Sequence, residues 1–309
     1  MHLSIDDINS LIETQLAVWP EAKTNFDRLM EVKRKPLQTG DFYAAAQLNP
    51  ARIKSTAAAV DKDSVANRPC FLCSTNRPAQ QISCEWLPGW DLLVNPYPIL
   101  PVHFTIAATR HTPQNEVPIE MAAMVEKAPD LVFFYNGASA GASAPDHLHC
   151  QAVLKSELPI IHLVEENHPI DIHKWISSEE FGLNLPFHFL SAVISPDNVG
   201  LKNLARVTSM YGIDKQNGEH STDLVNVFFW VSTFGLLRIV VIPRIAHRPS
   251  HYFRQDGSFM VSPGAIDMAG LLILPRADDF ERISPEIAGE IYAETAFASL
   301  PPELLNMIR

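Results

Sequence analysis

The sequence predicts an α+β fold made of two similar halves, each an antiparallel sheet flanked by helices. Three observations lead there. Segments rich in Val, Ile and Phe read as strands and are interleaved with stretches of helical spacing. The links between them are too short for repeated parallel crossovers, so neighbouring strands are expected to pair antiparallel. With 309 residues, 47% hydrophobic and 19% charged, the chain has material for two ordinary domains or one doubled fold and is neither disordered nor fibrous. The halves are expected to span 1–165 and 166–309, with 155–185, mixed and bearing several Pro and His, as their connection.

Taken in order, residues 4–33 alternate apolar and charged positions at helical spacing, with Ser4 and Asp6 available as caps, and predict an N-terminal helical segment. Residues 51–68 are small, polar and charged, a loop leading into Pro69. Strands are predicted at 90–94, 103–108 and 131–135, with a helix at 117–127 between the last two. After Tyr135 the chain runs NGASAGASAPDHLHCQAVLK, where small residues lead into a cluster of histidines. Such a segment lets backbone approach a ligand closely. In the second half strands are predicted at 187–195, 225–232, 236–243 and 269–274, and helices at 198–211 and 285–297. The halves share an architecture without an evident sequence repeat.

Charge narrows the ligand. With 24 Lys+Arg against 35 Asp+Glu the net charge is −11, which argues against nucleic acid as a partner. A phosphate-bearing ligand must then be small and held by a local cradle of backbone amides, histidines and a few arginines. The first residues, MHLSIDDINSLIETQL, have no basic stretch followed by a continuous apolar run, so neither a secretory signal nor a lipid anchor is expected. The longest apolar stretch, 224–243, is broken by Ser232, Thr233, Gly235 and Arg238 and reads as two paired strands, not a membrane span. A cytoplasmic protein with no membrane partner is expected. Cysteines stand at positions 70, 73, 84 and 150. Cys70 and Cys73 form a C-x-x-C, which in a reducing compartment reads as metal or redox chemistry, or simply as two buried thiols.

The sharpest signal is His147-Leu148-His149-Cys150-Gln151. On extended backbone residues two apart share a face, so His147, His149 and Gln151 are expected to line one site, with Cys150 turned away as a core thiol. Arg77, Arg110, Arg244, Arg248 and Arg276 could each meet a phosphate but read first as ordinary solvated arginines, and His247 and His251 as surface or packing residues.

In their order along the chain these motifs resemble the histidine-triad superfamily, in its nucleotidyltransferase and phosphorylase branch: galactose-1-phosphate uridylyltransferase, diadenosine tetraphosphate phosphorylase and GDP-L-galactose phosphorylase. The resemblance rests on the C-x-x-C followed by Asn76, the segment LVNPYPILPVHFTIA, the loop opening at Asn136, and H-x-H-x-Q. It returns in SPGAIDMAGLLILPRADDF, which looks like the C-terminal half of the phosphorylases. The implied fold is two histidine-triad-like halves. By resemblance, His149 attacks the α-phosphorus of a nucleotide to give a covalent nucleotidyl-histidine, from which a second substrate takes the nucleotide. Imidazole suits this role as a neutral nucleophile near pH 7 and a good leaving group. The resemblance further implies that the backbone carbonyl of His147 pins the other ring nitrogen of His149, that Gln151 donates to a phosphate oxygen, and that loop 136–143 wraps the phosphates. Asn95, Asn136, Ser139 and Ser143 are then substrate-binding residues. Position 144 is Ala where the uridylyltransferase has a phosphate-binding serine, and Leu148 replaces its Pro, as in GDP-L-galactose phosphorylase.

In the zinc-bearing uridylyltransferases the partners of the C-x-x-C correspond to His111 and His147. That implies a structural zinc on Cys70, Cys73, His111 and His147, with His103 as the competitor for His111. The diadenosine tetraphosphate phosphorylases work without such a site. The expected function is phosphorolysis of a nucleotide-sugar or dinucleoside polyphosphate, with orthophosphate as acceptor. Alternatives are a hexose-1-phosphate nucleotidylyltransferase, a hydrolase, or a zinc-stabilised nucleotide-binding protein without turnover, which would have no use for a nucleophile at His149. The active site is expected in the first half, with the second half closing the pocket; a homodimer is left open.

Overall fold

The computed structural model describes residues 2–56, 62–168, 174–194, 224–255 and 257–308, with Leu204, Val207 and Thr208. Among these residues the strands form two sheets. The larger contains β3 (Cys84–Leu87), β4 (Trp90–Val94), β5 (His103–Ala108), β6 (Leu131–Asn136), β7 (His149–Leu154), β8 (Trp175–Ser177), β9 (Leu190–Ile194), β10 (Val225–Val231) and β11 (Leu237–Pro243). Its order is β3-β4-β5-β7-β6-β10-β11-β9-β8. Every neighbouring pair is antiparallel. Strands from residues 84–154 therefore make one wing and strands from 175–243 the other, joined where β6 pairs with β10 in the register Asn226↔Asn136. The smaller sheet joins β1 (Lys33–Thr39) antiparallel to β2 (Phe42–Leu48), which pairs parallel with β12 (Leu271–Leu274).

The central strands read as unbroken apolar runs because both faces of the sheet are covered. On one face Phe133, Tyr135, Val227 and Phe229 pack with the helices Ile5–Val18 and Met121–Lys127. On the other, Phe134, Phe228, Trp230 and Val240 pack with the helices Pro159–Asn167 and Pro285–Thr295 and with the smaller sheet. This second face also carries the polar ends of His103 and Gln151, since Thr105 lies opposite Gln151 and His103 opposite Val153. No helix among the described residues is long and apolar enough to cross a membrane.

Several boundaries differ from expectation. The N-terminal helical segment is two helices, Ile5–Val18 and Pro20–Asp27, because Pro20 starts a new helix and Asp7, not Asp6, completes the capping box with Ser4. Residue 33 already belongs to β1, a polar edge strand that carries Pro36. Short helices at Ile53–Thr56 and Lys62–Ala66 occupy the stretch expected as loop. The expected connection at 155–185 holds the helix Pro159–Asn167 and β8. The helix expected at 198–211 lies outside the described residues, apart from Leu204, Val207 and Thr208.

Candidate active site

His149 opens β7, and its ring is set by two obligatory backbone groups. A carbonyl only accepts, so the contact between Nδ1 and the His147 carbonyl at 2.8 Å puts the proton on Nδ1 and the lone pair on Nε2. Nε2 makes no hydrogen bond within the described residues, yet it is not among their sealed, unpartnered polar atoms. Gln114 fixes the backbone of His149 from both sides: its Oε1 accepts from His149 N at 2.8 Å and its Nε2 donates to His149 O at 2.9 Å. Burial lowers the His149 pKa to about 4, against the pull of the His147 carbonyl, so the imidazole is neutral across the physiological range.

His147 does not join His149 and Gln151 on the strand face, because β7 begins only at His149 and His147 sits in the preceding turn, with its N–H on the Ala144 carbonyl. Its ring instead donates from Nε2 to the Ala108 carbonyl at 2.7 Å, which leaves the Nδ1 lone pair facing Cys70 Sγ at 3.2 Å and Cys73 Sγ at 3.6 Å. His111 Nδ1 lies 3.2 Å from Cys73 Sγ. The ligand atoms of Cys70, Cys73, His111 and His147 all lie within 4.8 Å of one another, a spacing that a tetrahedral ion with two sulfur and two nitrogen ligands accepts. The C-x-x-C turn is held by Asn76, whose Nδ2 donates to Cys70 O, and by Arg77, which donates to Leu72 O and pairs with Asp91. Arg68 ties it to the histidine turn through Asp146 at 2.7 Å. His103, the competing ligand, is elsewhere: Ile99 N donates to its Nδ1, so its proton is on Nε2, which donates to Gln151 Oε1 at 2.8 Å. This spends the amide oxygen of Gln151 and leaves its NH₂ as the donor.

Gln151 opens onto a cleft of about 700 Å³, part of it open solvent, between the large sheet and residues of the second half. Asn136, Gly141 and Ser143 line it, and so do Arg52, His247 and Arg248. Asn136 is oriented like Gln151: its Oδ1 accepts from Ala265 N at 2.7 Å and from Asn226 at 3.0 Å, leaving its NH₂ without a partner among the described residues. Gly141, at φ +100°, presses on Gly264; a Cβ there would sit 2.5 Å from the Gly264 Cα, so only glycine lets the loop close against the second half.

The structure therefore brings Asn136, Ser143 and Gln151 to one cleft, with His149 on the same strand face. It does not bring Asn95, Ser139, His147 or the ring of His149 itself into the cleft lining. Asn95 is occupied in its own turn, where Nδ2 donates to Thr105 and Oδ1 accepts from Tyr97 N. The cleft draws on both halves, with His247, Arg248 and residues 262 and 264–267 lining it from the second. His247 and Arg248 belong to its lining instead of to the surface, a placement that their isolated positions in sequence do not signal. Arg77, Arg244 and Arg276 are structural, bound to Asp91, Asn226 and Asp279. His251 packs on Phe259 and contacts Glu290. Cys150 is a core thiol against Met124, its pKa raised by burial, as its place on the opposite face of β7 predicts.

Among the described residues the chain has a mixed α+β fold built on a large antiparallel sheet, with His149 and Gln151 on one of its inner strands, and this fold is shared with solved structures of a phosphorylase. The chain is similar to the crystal structure of yeast Ap4A phosphorylase Apa2, with a TM-score of 0.60 at 12% identity over 91% of this chain and 98% of that one. For the same yeast enzyme in complex with Ap4A the TM-score is 0.57 at 15% identity over 91% and 98%. In complex with AMP it is 0.54 at 15% identity over 92% and 98%. At these identities the likeness is one of fold. Residues 11–154 match the family model DUF4922, a domain of unknown function. No curated protein matches the sequence.

Proposed function

We propose that the protein is a nucleotidyl-transferring phosphorylase that acts on a dinucleoside polyphosphate through a covalent nucleotidyl-histidine at His149. The observation that carries this reading is the Nδ1 hydrogen bond of His149 to the His147 carbonyl, which leaves a neutral imidazole's lone pair on Nε2, on the strand face that His149 shares with Gln151. In the first half-reaction Nε2 forms a bond to the α-phosphorus, and the P–O bond to the rest of the phosphate chain breaks, with the electron pair leaving on that oxygen. In the second, an oxygen of orthophosphate attacks the same phosphorus, the N–P bond breaks, and a nucleoside diphosphate departs. The NH₂ of Gln151 is placed to meet the negative charge that builds on the non-bridging oxygens, and the amides of loop 136–143 to hold the chain. Ap4A is the first substrate to try, with nucleotide-sugars in the same panel, each with and without phosphate. Phosphate-dependent release of nucleoside diphosphate supports the reading; release that needs no phosphate marks a hydrolase.

Gln151→Ala should slow transfer by roughly 10²- to 10³-fold, the scale of one lost charge-stabilising donor. Its fold and metal content should be unchanged, and an effect confined to KM would remove Gln151 from this role.

Cys70, Cys73, His111 and His147 are proposed to hold zinc. Bound there, it supplies a fixed anchor for His147, whose carbonyl in turn orients His149. Protein purified without added metal should contain about one zinc per chain. Cys70→Ser should lower the unfolding midpoint more than it lowers turnover, because a structural ion contributes folding free energy. Absence of metal with both thiols freely titratable would remove the site.

A further inference from the structure

We propose that Arg248, Ser262 and His247, with Arg52 beside them, form an oxyanion subsite that first holds the departing phosphate chain and then the incoming orthophosphate. This assignment rests on the double displacement at His149 proposed above. In such a reaction the acceptor must approach the phosphorus from the side that the first leaving group vacated, so one subsite serves both.

The lining is built from donors. Arg248 Nε donates to Ser262 Oγ at 3.0 Å, and the guanidinium lies over the Tyr252 ring at 4.3 Å, which fixes its plane. Arg248 Nη2 also reaches the Thr56 carbonyl at 3.4 Å. An arginine nitrogen only donates, so Ser262 Oγ accepts from it and turns its proton to His247 Nε2, 3.3 Å away. His247 then carries its own proton on Nδ1 and becomes one more donor. Burial, reinforced by Arg248 and Arg244, keeps this ring uncharged by lowering its pKa to about 4. Arg52 makes one hydrogen bond among the described residues, from Nη1 to Tyr97 O at 2.7 Å, and its other N–H groups are left for a ligand. The carboxylate in the lining, Asp267, is engaged at both oxygens by the backbone N–H of Gly264 and of Ile273, at 2.9 and 2.8 Å. In a chain of net charge −11, two arginines turned onto one cleft that also holds Gln151 call for an anionic occupant, and their planar donor forks match phosphate oxygens.

The test separates the two readings. Nucleotidyl-enzyme is prepared from Ap4A, and its discharge is followed against phosphate concentration for wild type, Arg248→Gln and Ser262→Ala. Arg248→Gln should raise the phosphate concentration for half-maximal discharge about 10- to 100-fold, the worth of a charge-assisted hydrogen bond. Ser262→Ala should raise it less, since it loosens Arg248 without removing charge. In parallel, inorganic phosphate, compared with chloride at equal ionic strength, should raise the unfolding temperature of wild type but not of Arg248→Gln. This second arm needs no adduct, so failure to form one overturns the His149 mechanism and leaves the subsite to be judged on phosphate protection. Wild-type phosphate dependence in Arg248→Gln, or protection that is absent or survives the substitution, overturns the subsite.

Discussion

Incubation with Ap4A in the absence of phosphate should add one AMP to the mass of the chain, and the adduct should map to His149. It should be labile in acid and stable in base, as a phosphoramidate is. His149→Ala should abolish both adduct and turnover, a loss of roughly 10⁴-fold or more, because it removes the nucleophile itself. Binding of Ap4A should remain measurable, since loop 136–143, Asn136 and the cleft arginines are untouched. The alternative nucleophile closest in sequence, Cys150, faces Met124 on the opposite side of β7, with its thiolate disfavoured by burial. An adduct found on Cys150, or full activity in His149→Ala, would falsify the mechanism.

The part of this site that was legible in the sequence is the part made by local geometry. Extended backbone puts His149 and Gln151 on one face and Cys150 on the other whatever surrounds them. The pinning of His149 Nδ1 by the His147 carbonyl is likewise a contact between residues two apart, and the family resemblance names it. The same reasoning misplaced the His147 ring because strand periodicity was extended two residues too far, into a turn. Cys70, Cys73, His111 and His147 converge as the resemblance implies, whereas Asn95 is held in its own turn. What was not legible depends on distant pairing. Gln114 sits in a loop with nothing to mark it, yet it holds both backbone groups of His149. His103 is tied to Gln151 only by the register of β5 on β7. Arg52, His247 and Arg248 reach the cleft because β12 pairs with β2 and segment 262–267 packs against Gly141, none of which leaves a periodic signal. In the fold, the central strands were legible from their apolar content. The strands β1, β3 and β8, polar or short, were not, and neither was β2, whose alanines carry little strand signal.

The join between the halves should be the most sensitive structural point, and it centres on Arg244. This side chain is 1% exposed and spends every donor inside the protein. Nε donates to Thr295 O at 2.8 Å, Nη1 to Asn226 Oδ1 at 2.7 Å and Pro263 O at 3.0 Å, and Nη2 to Ala246 O and His247 O. Burial lowers its pKa to about 10, with Asp267 opposing, so the guanidinium stays charged at neutral pH. Asn226, oriented by this contact, donates to Asn136 and to the Ala140 carbonyl, so one arginine organises the last turn of the helix Pro285–Thr295, the 263–265 segment and loop 136–143 together. Arg244→Met fills much of the same volume but strands four carbonyls and an amide oxygen without a donor. The expected loss is about 3–5 kcal/mol in the denaturant unfolding free energy, the scale for breaking a buried charged network. Arg244→Lys should recover little of it, since a single ammonium on a flexible stem cannot meet five acceptors arranged for a planar fork. A loss below about 1 kcal/mol in Arg244→Met, within the range of an exposed polar contact, would mean that the halves are held by their shared sheet alone and that the arginine is incidental to the join.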